Sequence, residues 1–279
     1  MITRLAPTPS GFIHAGNIYN FLLSWLWARS NGGKIFLRID DIDAERKRPQ
    51  YVEDIFRVLD WLGLDWDIGP LSPDDFEKNW SQSKRTDLYN TTLNELITKN
   101  LLFACNCSRK QPVCHCIEKK LNLATAGTAL KIKQADNTLI SFNDKALGPV
   151  TVDAFAEGCF ILKRKDGIPA YQLASLADDR HFGITHICRG EDLLTSTGMQ
   201  LYIDKKLSDH FLMSCTFWHH SMIADATGDK LSKSAGSLGE SITGLVKKED
   251  LVHSFVKWMG LKTGTSDIKE MIGLKLFTG

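Results

Sequence analysis

Neither sign of charge is in excess: 34 Lys and Arg stand against 33 Asp and Glu, a formal net charge of +1. That excludes a polybasic or polyacidic protein, but it leaves open a local basic surface. Long apolar runs are missing as well. No stretch approaches the ~20 residues that a membrane span needs. The opening MITRLAPTPSG has neither a basic stretch nor an uninterrupted apolar one, so no secretory leader is expected. With 8 Pro and 21 Gly in 279 residues, collagen-like and disordered classes are ruled out. The seven cysteines are odd in number, and four of them crowd into residues 105–116. A disulfide framework does not fit that pattern. A metal site in a reducing compartment does, and the cytoplasm is the expected location.

What is present is enough for a folded enzyme-sized chain. The 43% hydrophobic content supports a sizeable core, and the length predicts about two domains, with a monomer as the default. Charge is unevenly spread. Residues 40–75 hold eleven acidic and four basic side chains, whereas residues 99–134 hold seven basic and one acidic. A basic segment on a neutral protein suits a polyanion, although a solvated face would show the same run.

ITRLA at 2–6 reads as a strand, IYNFLLSWLWARS as a helix ended by Asn31-Gly32-Gly33, and KIFLRI at 34–39 as a second strand. Strand, helix and strand in this span predict a parallel βαβ unit. Helical spacing follows at 50–62 and at 86–98. From 99 to 167 the texture changes to a Cys cluster, a polar middle and short β-prone pieces (ALKIK, CFILKRK), read as an inserted subdomain. HFGITHI at 181–187 resumes a strand, GEDLLTSTGMQLYIDKKL is helical, WHHSMIA at 218–224 is a strand, and the tail from 241 has helical periodicity. The expected organisation is a discontinuous α/β catalytic domain of residues 1–98 and 168–240, an insert at 99–167 and a helical segment at 241–279.

Three stretches carry chemistry. Arg4-Leu-Ala-Pro-Thr-Pro-Ser-Gly-Phe-Ile-His14-Ala-Gly16-Asn17 joins the first strand to the first helix, where unpaired backbone N–H groups suit a phosphate. The same residues would also make an ordinary Pro/Gly turn. Lys230-Leu-Ser232-Lys233-Ser234 can wrap a triphosphate with two cations and interleaved hydroxyls, or be an exposed polar loop. Arg189-Gly190-Glu191-Asp192 follows the returning strand, at the edge where open α/β sheets bind ligands, or else caps the next helix. Cys105-Asn-Cys107 and Cys114-His-Cys116 offer four thiolates to a tetrahedral Zn²⁺. The alternatives are four reduced thiols without an ion, or His115 in place of one cysteine. Cys159, Cys188 and Cys215 read as buried small hydrophobes.

PTPSGFIHAGN, RIDDID, DGIPAYQLASLADDRHFGITHICRGEDLL and KLSKS, in this order and spacing, resemble the catalytic core of class I glutamyl-tRNA synthetases across roughly residues 1–240. His14–Asn17 matches the HIGH element and Lys230–Ser234 the KMSKS element. The resemblance implies a Rossmann-type class I aminoacyl-tRNA synthetase core with an inserted small α+β subdomain. It implies ATP with Mg²⁺, glutamate and tRNA as partners. Carried over by position, His14, Gly16, Lys230 and Lys233 are the catalytic set, and Asn17, Ser232 and Ser234 lie near the nucleotide. Arg4 and Arg189 bind substrate carboxylates, Tyr171 lines the pocket, Ala6 and Thr8 also bind substrate, with Thr8 near the amino group, and Asp40 meets the substrate ammonium. Asp40 departs from the glutamate usual in this family. Cys105 and Cys107 match a family C-x-C, whereas Cys114 and Cys116 arrive early. Zinc there would be structural, beside Arg109, Lys110, Lys119 and Lys120.

About 40 residues follow KLSKS, short of a helical anticodon-binding domain. A truncated core with a Cys cluster at the start of the insert resembles the members of the family that attach glutamate to queuosine, the modified wobble base of tRNA(Asp), and that resemblance implies the same activity here. The alternatives are charging of an ordinary tRNA 3′ end, small-molecule nucleotidyl transfer, and an inactive tRNA-binding paralogue.

Overall fold

A computed structural model describes residues 1–108, 114–134, 137–222 and 239–277. In chain order the strands are β1 (Ile2–Leu5), β2 (Lys34–Leu37), β3 (Leu102–Cys105), β4 (Ala129–Ile132), β5 (Leu139–Asp144), β6 (Gly148–Asp153), β7 (Ile161–Lys163), β8 (His186–Gly190) and β9 (Thr216–His220). The α-helices are α1 (Ala15–Ser30), α2 (Pro49–Leu62), α3 (Pro73–Asp75), α4 (Thr86–Thr98), α5 (Tyr171–His181), α6 (Leu194–Asp204) and α7 (Lys248–Trp258). They form two compact units: Met1–Lys84 with Ile184–Asp192 and Thr216–Gly279, and Arg85–Gly183 with Leu193–Cys215.

The first unit is a parallel α/β layer. β1 pairs with β2 in parallel, Ile2 opposite Lys34 and Leu5 opposite Leu37. On its other side β1 lies along β8: the Thr185 N–H donates to the Ile2 carbonyl at 2.9 Å and Thr3 Oγ1 to the His186 carbonyl at 2.8 Å. β8 pairs in parallel with β9. Parallel strands buried on both faces read as continuous apolar runs, and Ile35, Phe36 and Leu37 of β2 are all buried. The strand C-terminal ends therefore share one edge.

α1 is the crossover between β1 and β2. Apolar residues surround it almost completely, the mark of a helix packed on all sides; Ile18, Leu22, Leu23 and Leu26 are fully buried. Trp27 packs edge-on against His186 and Trp218, and Trp25 Nε1 donates to Asp65 at 2.8 Å. Asn31 closes the helix, and its side chain also donates to the Phe277 carbonyl. That bond anchors the C-terminal segment beside the crossover. α2 shows the expected apolar stripe, with Ile55, Leu59 and Leu62 buried, and ends on Gly63 in the left-handed conformation at φ 75°. The tail supplies α7, whose Leu251, Val252, Phe255 and Val256 enter the same core.

Among the described residues the second unit combines antiparallel strands with the α-helices α4, α5 and α6. β3, β4 and β7 form one sheet, and β5 and β6 form a hairpin. The hairpin falls in what the sequence suggested was only a polar middle. LISFND and GPVTVD alternate, and Asp144 Oδ1 accepts from the Ala146 and Leu147 N–H groups to make the turn. α5 is likewise unanticipated: residues up to His181 are helical, and the returning strand begins only at His186, after Gly183 at φ 64°. α6 starts four residues later than the helical pattern, which begins at Gly190, and residues 191–193 form a 3₁₀ turn.

Inside this unit a buried carboxylate ties α4 to α5. Arg85 grips Asp178 with Nε at 2.7 Å and Nη2 at 3.0 Å, and Tyr89 Oη donates to the same carboxylate at 3.0 Å. Burial, followed by the Asp178 charge, pushes the Tyr89 hydroxyl above its ordinary pKa. Asp178→Ala would strand the guanidinium, so urea denaturation is expected to show a loss of about 3–5 kcal/mol. A loss below about 1 kcal/mol would contradict this ion pair as the tie between the helices.

Candidate active site

The strand ends of the first unit gather the charged side chains. Arg4, within β1, is buried and donates through Nη1 to the Cys188 carbonyl at 3.2 Å. That carbonyl belongs to the residue before Arg189, also buried, whose guanidinium lies 5.7 Å from the Phe217 ring centroid. Two guanidiniums thus sit on neighbouring strands in a low-dielectric interior, where an anion is strongly favoured. Ala6 and Thr8 follow β1, half-buried and exposed respectively.

Asp40 follows β2 and faces its own neighbour. Arg38 Nε lies 2.6 Å from Asp40 Oδ1 and Nη2 lies 3.0 Å from Oδ2, a bidentate pair with both side chains buried. Asp41 serves a different purpose. It accepts from Ser81 Oγ at 2.6 Å, the Gln82 N–H at 2.7 Å and Lys47 Nζ at 3.2 Å, which pins the 81–82 turn to the end of β2. Adjacent acids in RIDDID are thus divided between the strand edge and the scaffold.

His14 is the N-cap of α1. Its backbone is extended, its Nδ1 accepts from the Asn17 N–H at 3.4 Å, and Asn17 Oδ1 accepts from the His14 N–H at 3.2 Å, a reciprocal capping box. With Nδ1 accepting, the neutral ring carries its proton on Nε2. Gly16 explains the spacing of the motif: a Cβ there would lie 2.9 Å from His14 Cε1 and 3.0 Å from Nδ1, so only glycine leaves the ring in place. One turn further, Asn20 Nδ2 lies 3.1 Å from His220 Nε2 at the end of β9. His220 Nδ1 is 3.0 Å from the Ser221 carbonyl, so that nitrogen donates and Nε2 accepts from Asn20. Burial holds the His220 pKa below its ordinary value, consistent with a neutral ring.

Asn20 and Asp54 were not singled out in the sequence. His14, Asn17 and Asn20 recur every third residue at the start of a largely apolar helix, and that polar stripe was the available signal. Glu191 Oε1 accepts from the Met222 N–H at 3.3 Å. The KLSKS residues Lys230, Ser232, Lys233 and Ser234, with Arg109 and Lys110, lie outside the described residues. Tyr171 opens α5 in the second unit and is exposed. Of the three cysteines expected to be buried, only Cys188 is; Cys159 and Cys215 are partly exposed. Cys159 packs instead against the cysteine cluster.

That cluster, in the second unit, joins Cys105, Cys107, Cys114 and Cys116, whose sulfurs all lie within 4.8 Å of one another. The pairs 105–114, 107–114 and 107–116 are 3.6, 3.7 and 3.3 Å apart. Tetrahedral sulfurs around a zinc at 2.3 Å would be about 3.8 Å apart, so the four thiols fit such an ion. Sulfur hydrogen bonds, Cys116 first, push Cys107 up to about 12. Burial opposes ionisation of Cys116, but bonds from its neighbours, Cys107 foremost, bring it down to about 6. His115 instead lies 3.6 Å from Glu118.

A parallel α/β sheet with a capped helix after its first strand and charged residues at the strand ends defines a nucleotide-binding class of fold. The comparisons specify it. The chain matches the family described as tRNA synthetases class I (E and Q), catalytic domain, over residues 1–116 and 115–275. It is 37% identical over 265 residues to a glutamyl-Q tRNA(Asp) synthetase of Nitratidesulfovibrio vulgaris, covering 84% of this chain and 78% of that protein. It is 35% identical over 250 residues to a glutamate–tRNA ligase of Dehalococcoides mccartyi, covering 84% of this chain and 50% of that protein. A glutamate-tRNA synthetase structure from Elizabethkingia anophelis superposes with a TM-score of 0.77 at 22% identity, over 99% of this chain and 66% of that one. The chain belongs to the class I tRNA synthetases of the E and Q family, through their catalytic domain. Its catalytic fold is that of ATP-dependent, aminoacyl-adenylate-forming ligases. Among the described residues no helix is long and apolar enough to cross a membrane.

Metal analysis of the reduced protein is expected to find about one sulfur-bound ion per chain. Cys107→Ser should lower its occupancy. Metal-free protein with the same melting profile as untreated protein would contradict a structural site.

Proposed function

We propose that this chain activates glutamate with ATP and transfers it to queuosine in tRNA(Asp). The observation that carries the amino-acid assignment is the pair of buried arginines, Arg4 and Arg189, on adjacent strands beside the capped start of α1. A planar guanidinium answers a carboxylate with two parallel bonds, which a neutral amide meets less well. Asp40, already oriented by Arg38, turns its remaining lone-pair positions to the substrate ammonium.

The glutamate α-carboxylate attacks the α-phosphorus of ATP, the bond to the bridging oxygen breaks, and pyrophosphate leaves with that electron pair. The attacking oxygen is already ionised, so no protein base is needed. Catalysis is positioning plus stabilisation of the charge on the phosphoryl oxygens. His14 Nε2–H donates to a phosphate oxygen, Asn17 stands beside it, and Lys230 and Lys233, with Ser232 and Ser234, neutralise the leaving pyrophosphate. Mg²⁺ enters with ATP, held mainly by phosphate oxygens and water. In the second step a queuosine hydroxyl attacks the glutamyl carbonyl and AMP departs. The queuosine acceptor is supported by the glutamyl-Q relative, most of whose length this chain covers. Cys105, Cys107, Cys114 and Cys116 would hold a zinc ion whose bonds would order the tRNA-facing segment that carries Lys119 and Lys120.

A second reading, charging of an ordinary 3′ end, has the glutamate–tRNA ligase relatives in its favour. Radiolabelled glutamate with ATP and Mg²⁺ separates the two when offered to matched tRNA(Asp) with and without queuosine. Label on the queuosine-containing tRNA alone is expected. Equal label on both, lost on removal of the 3′-terminal adenosine, would favour the second reading. Gly16→Ala tests the phosphate site. Pyrophosphate exchange should fall on the order of 100-fold as the added methyl displaces His14. Stability should change by no more than about 1 kcal/mol, because alanine's helix propensity offsets the weakened cap. Unchanged exchange would refute the His14 assignment.

A further inference from the structure

α2 reaches the phosphate turn at two successive residues. Tyr51 meets Phe12 edge-on with ring centroids 5.1 Å apart. Asp54, three residues later and so on the same helix face, accepts the Ile13 N–H through Oδ2 at 2.9 Å. Asp54 is completely buried in the middle of the apolar stripe of α2. Its other oxygen lies 3.4 Å from Nη1 of Arg57, a half-exposed side chain. A carboxylate is costly to bury and is a poor neighbour for a polyphosphate, so packing alone does not account for it.

The geometry of the turn does. Residues 6–14 run between β1 and α1 outside any helix or strand, and Pro7 and Pro9 have no N–H to offer. His14 must enter α1 with extended backbone, φ −117° and ψ 168°, for its ring to fold back over Gly16 and accept from Asn17. The residue before it, Ile13, sets that entry angle. Its buried N–H needs an acceptor, and Asp54 supplies one from a neighbouring rigid helix rather than from the turn itself.

We infer that Asp54 is a positioning residue that fixes the Phe12–Ile13 peptide, one residue ahead of His14, and so aims His14 at the ATP phosphates. This inference rests on the adenylation reading for its catalytic consequence, but its structural half stands apart from that reading. The experiment uses the full-length chain as wild type, Asp54→Leu, Asp54→Ala and Asp54→Asn. The leucine variant fills the volume without an acceptor, so it remains informative if the alanine variant does not fold. The asparagine variant keeps an oxygen that can accept the N–H.

In hydrogen exchange, the Ile13 amide is expected to exchange on the order of tenfold faster in the leucine and alanine variants, and near the wild-type rate in the asparagine variant. In glutamate-dependent exchange of pyrophosphate into ATP, kcat should fall on the order of 30-fold with KM for glutamate within about twofold, and asparagine should recover most of the rate. A structural role alone would lower the active fraction without the asparagine rescue. Unchanged Ile13 exchange in the leucine variant overturns the inference, as does a raised KM with unchanged kcat. If the wild type shows no glutamate-dependent exchange, the adenylation reading fails, and the Ile13 amide still decides whether Asp54 holds the turn.

Discussion

One hydrogen bond, from the Asn17 N–H to His14 Nδ1, sets the geometry on which the rest of the site is arranged. It gives a first-turn donor, which also bonds the His14 carbonyl at 2.9 Å, a side-chain acceptor. It also fixes which ring nitrogen carries the proton. Gly16 is required because that ring lies where any side chain would be, and Asn20 continues the same polar stripe to His220 at the neighbouring strand end. α1 can carry this stripe because the rest of its surface is apolar and enclosed, so its position relative to β1, β8 and β9 is fixed by packing.

The second organising feature is charge held out of water. Arg4, Arg38, Asp40, Asp41, Asp54 and Arg189 are all buried, and most of them lie at or just beyond strand ends. Burial of this kind costs stability unless the groups answer one another or a ligand. Asp40 is answered by Arg38, Asp41 by Ser81, Gln82 and Lys47, and Asp54 by Ile13. The arginines on β1 and β8 add positive charge to the interior beside the start of α1, a setting suited to a small dicarboxylate.

Much of this was legible in the sequence where local pattern and tertiary role agree. The β1–α1–β2 unit, α2 and α4 appeared as strong periodicities bounded by turn residues, and the structure shows them within a few residues of those limits. The β5–β6 hairpin escaped notice because its strands bury only Ile140 and Asp144, so alternation was its only trace. α5 escaped because its buried face contains Ser175, Asp178 and Asp179, and a helix that buries carboxylates does not read as amphipathic. Among site residues, the HAGN and RGED strings stood out as motifs. Asp54 did not, since a single acid within an acidic segment shows neither its burial nor its acceptor role. The cysteine spacing suggested a cluster, but only the fold shows that all four sulfurs converge and that His115 pairs with Glu118.

The proposed selection of glutamate for adenylation depends most on two arginines, a capped histidine and an oriented aspartate. The direct test is exchange of labelled pyrophosphate into ATP by the wild-type chain, with glutamate and with glutamine as the only amino acid supplied. Exchange with glutamate, exceeding that with glutamine on the order of 100-fold, is the predicted result. Equal exchange with the two amino acids, or exchange with glutamine alone, would contradict it.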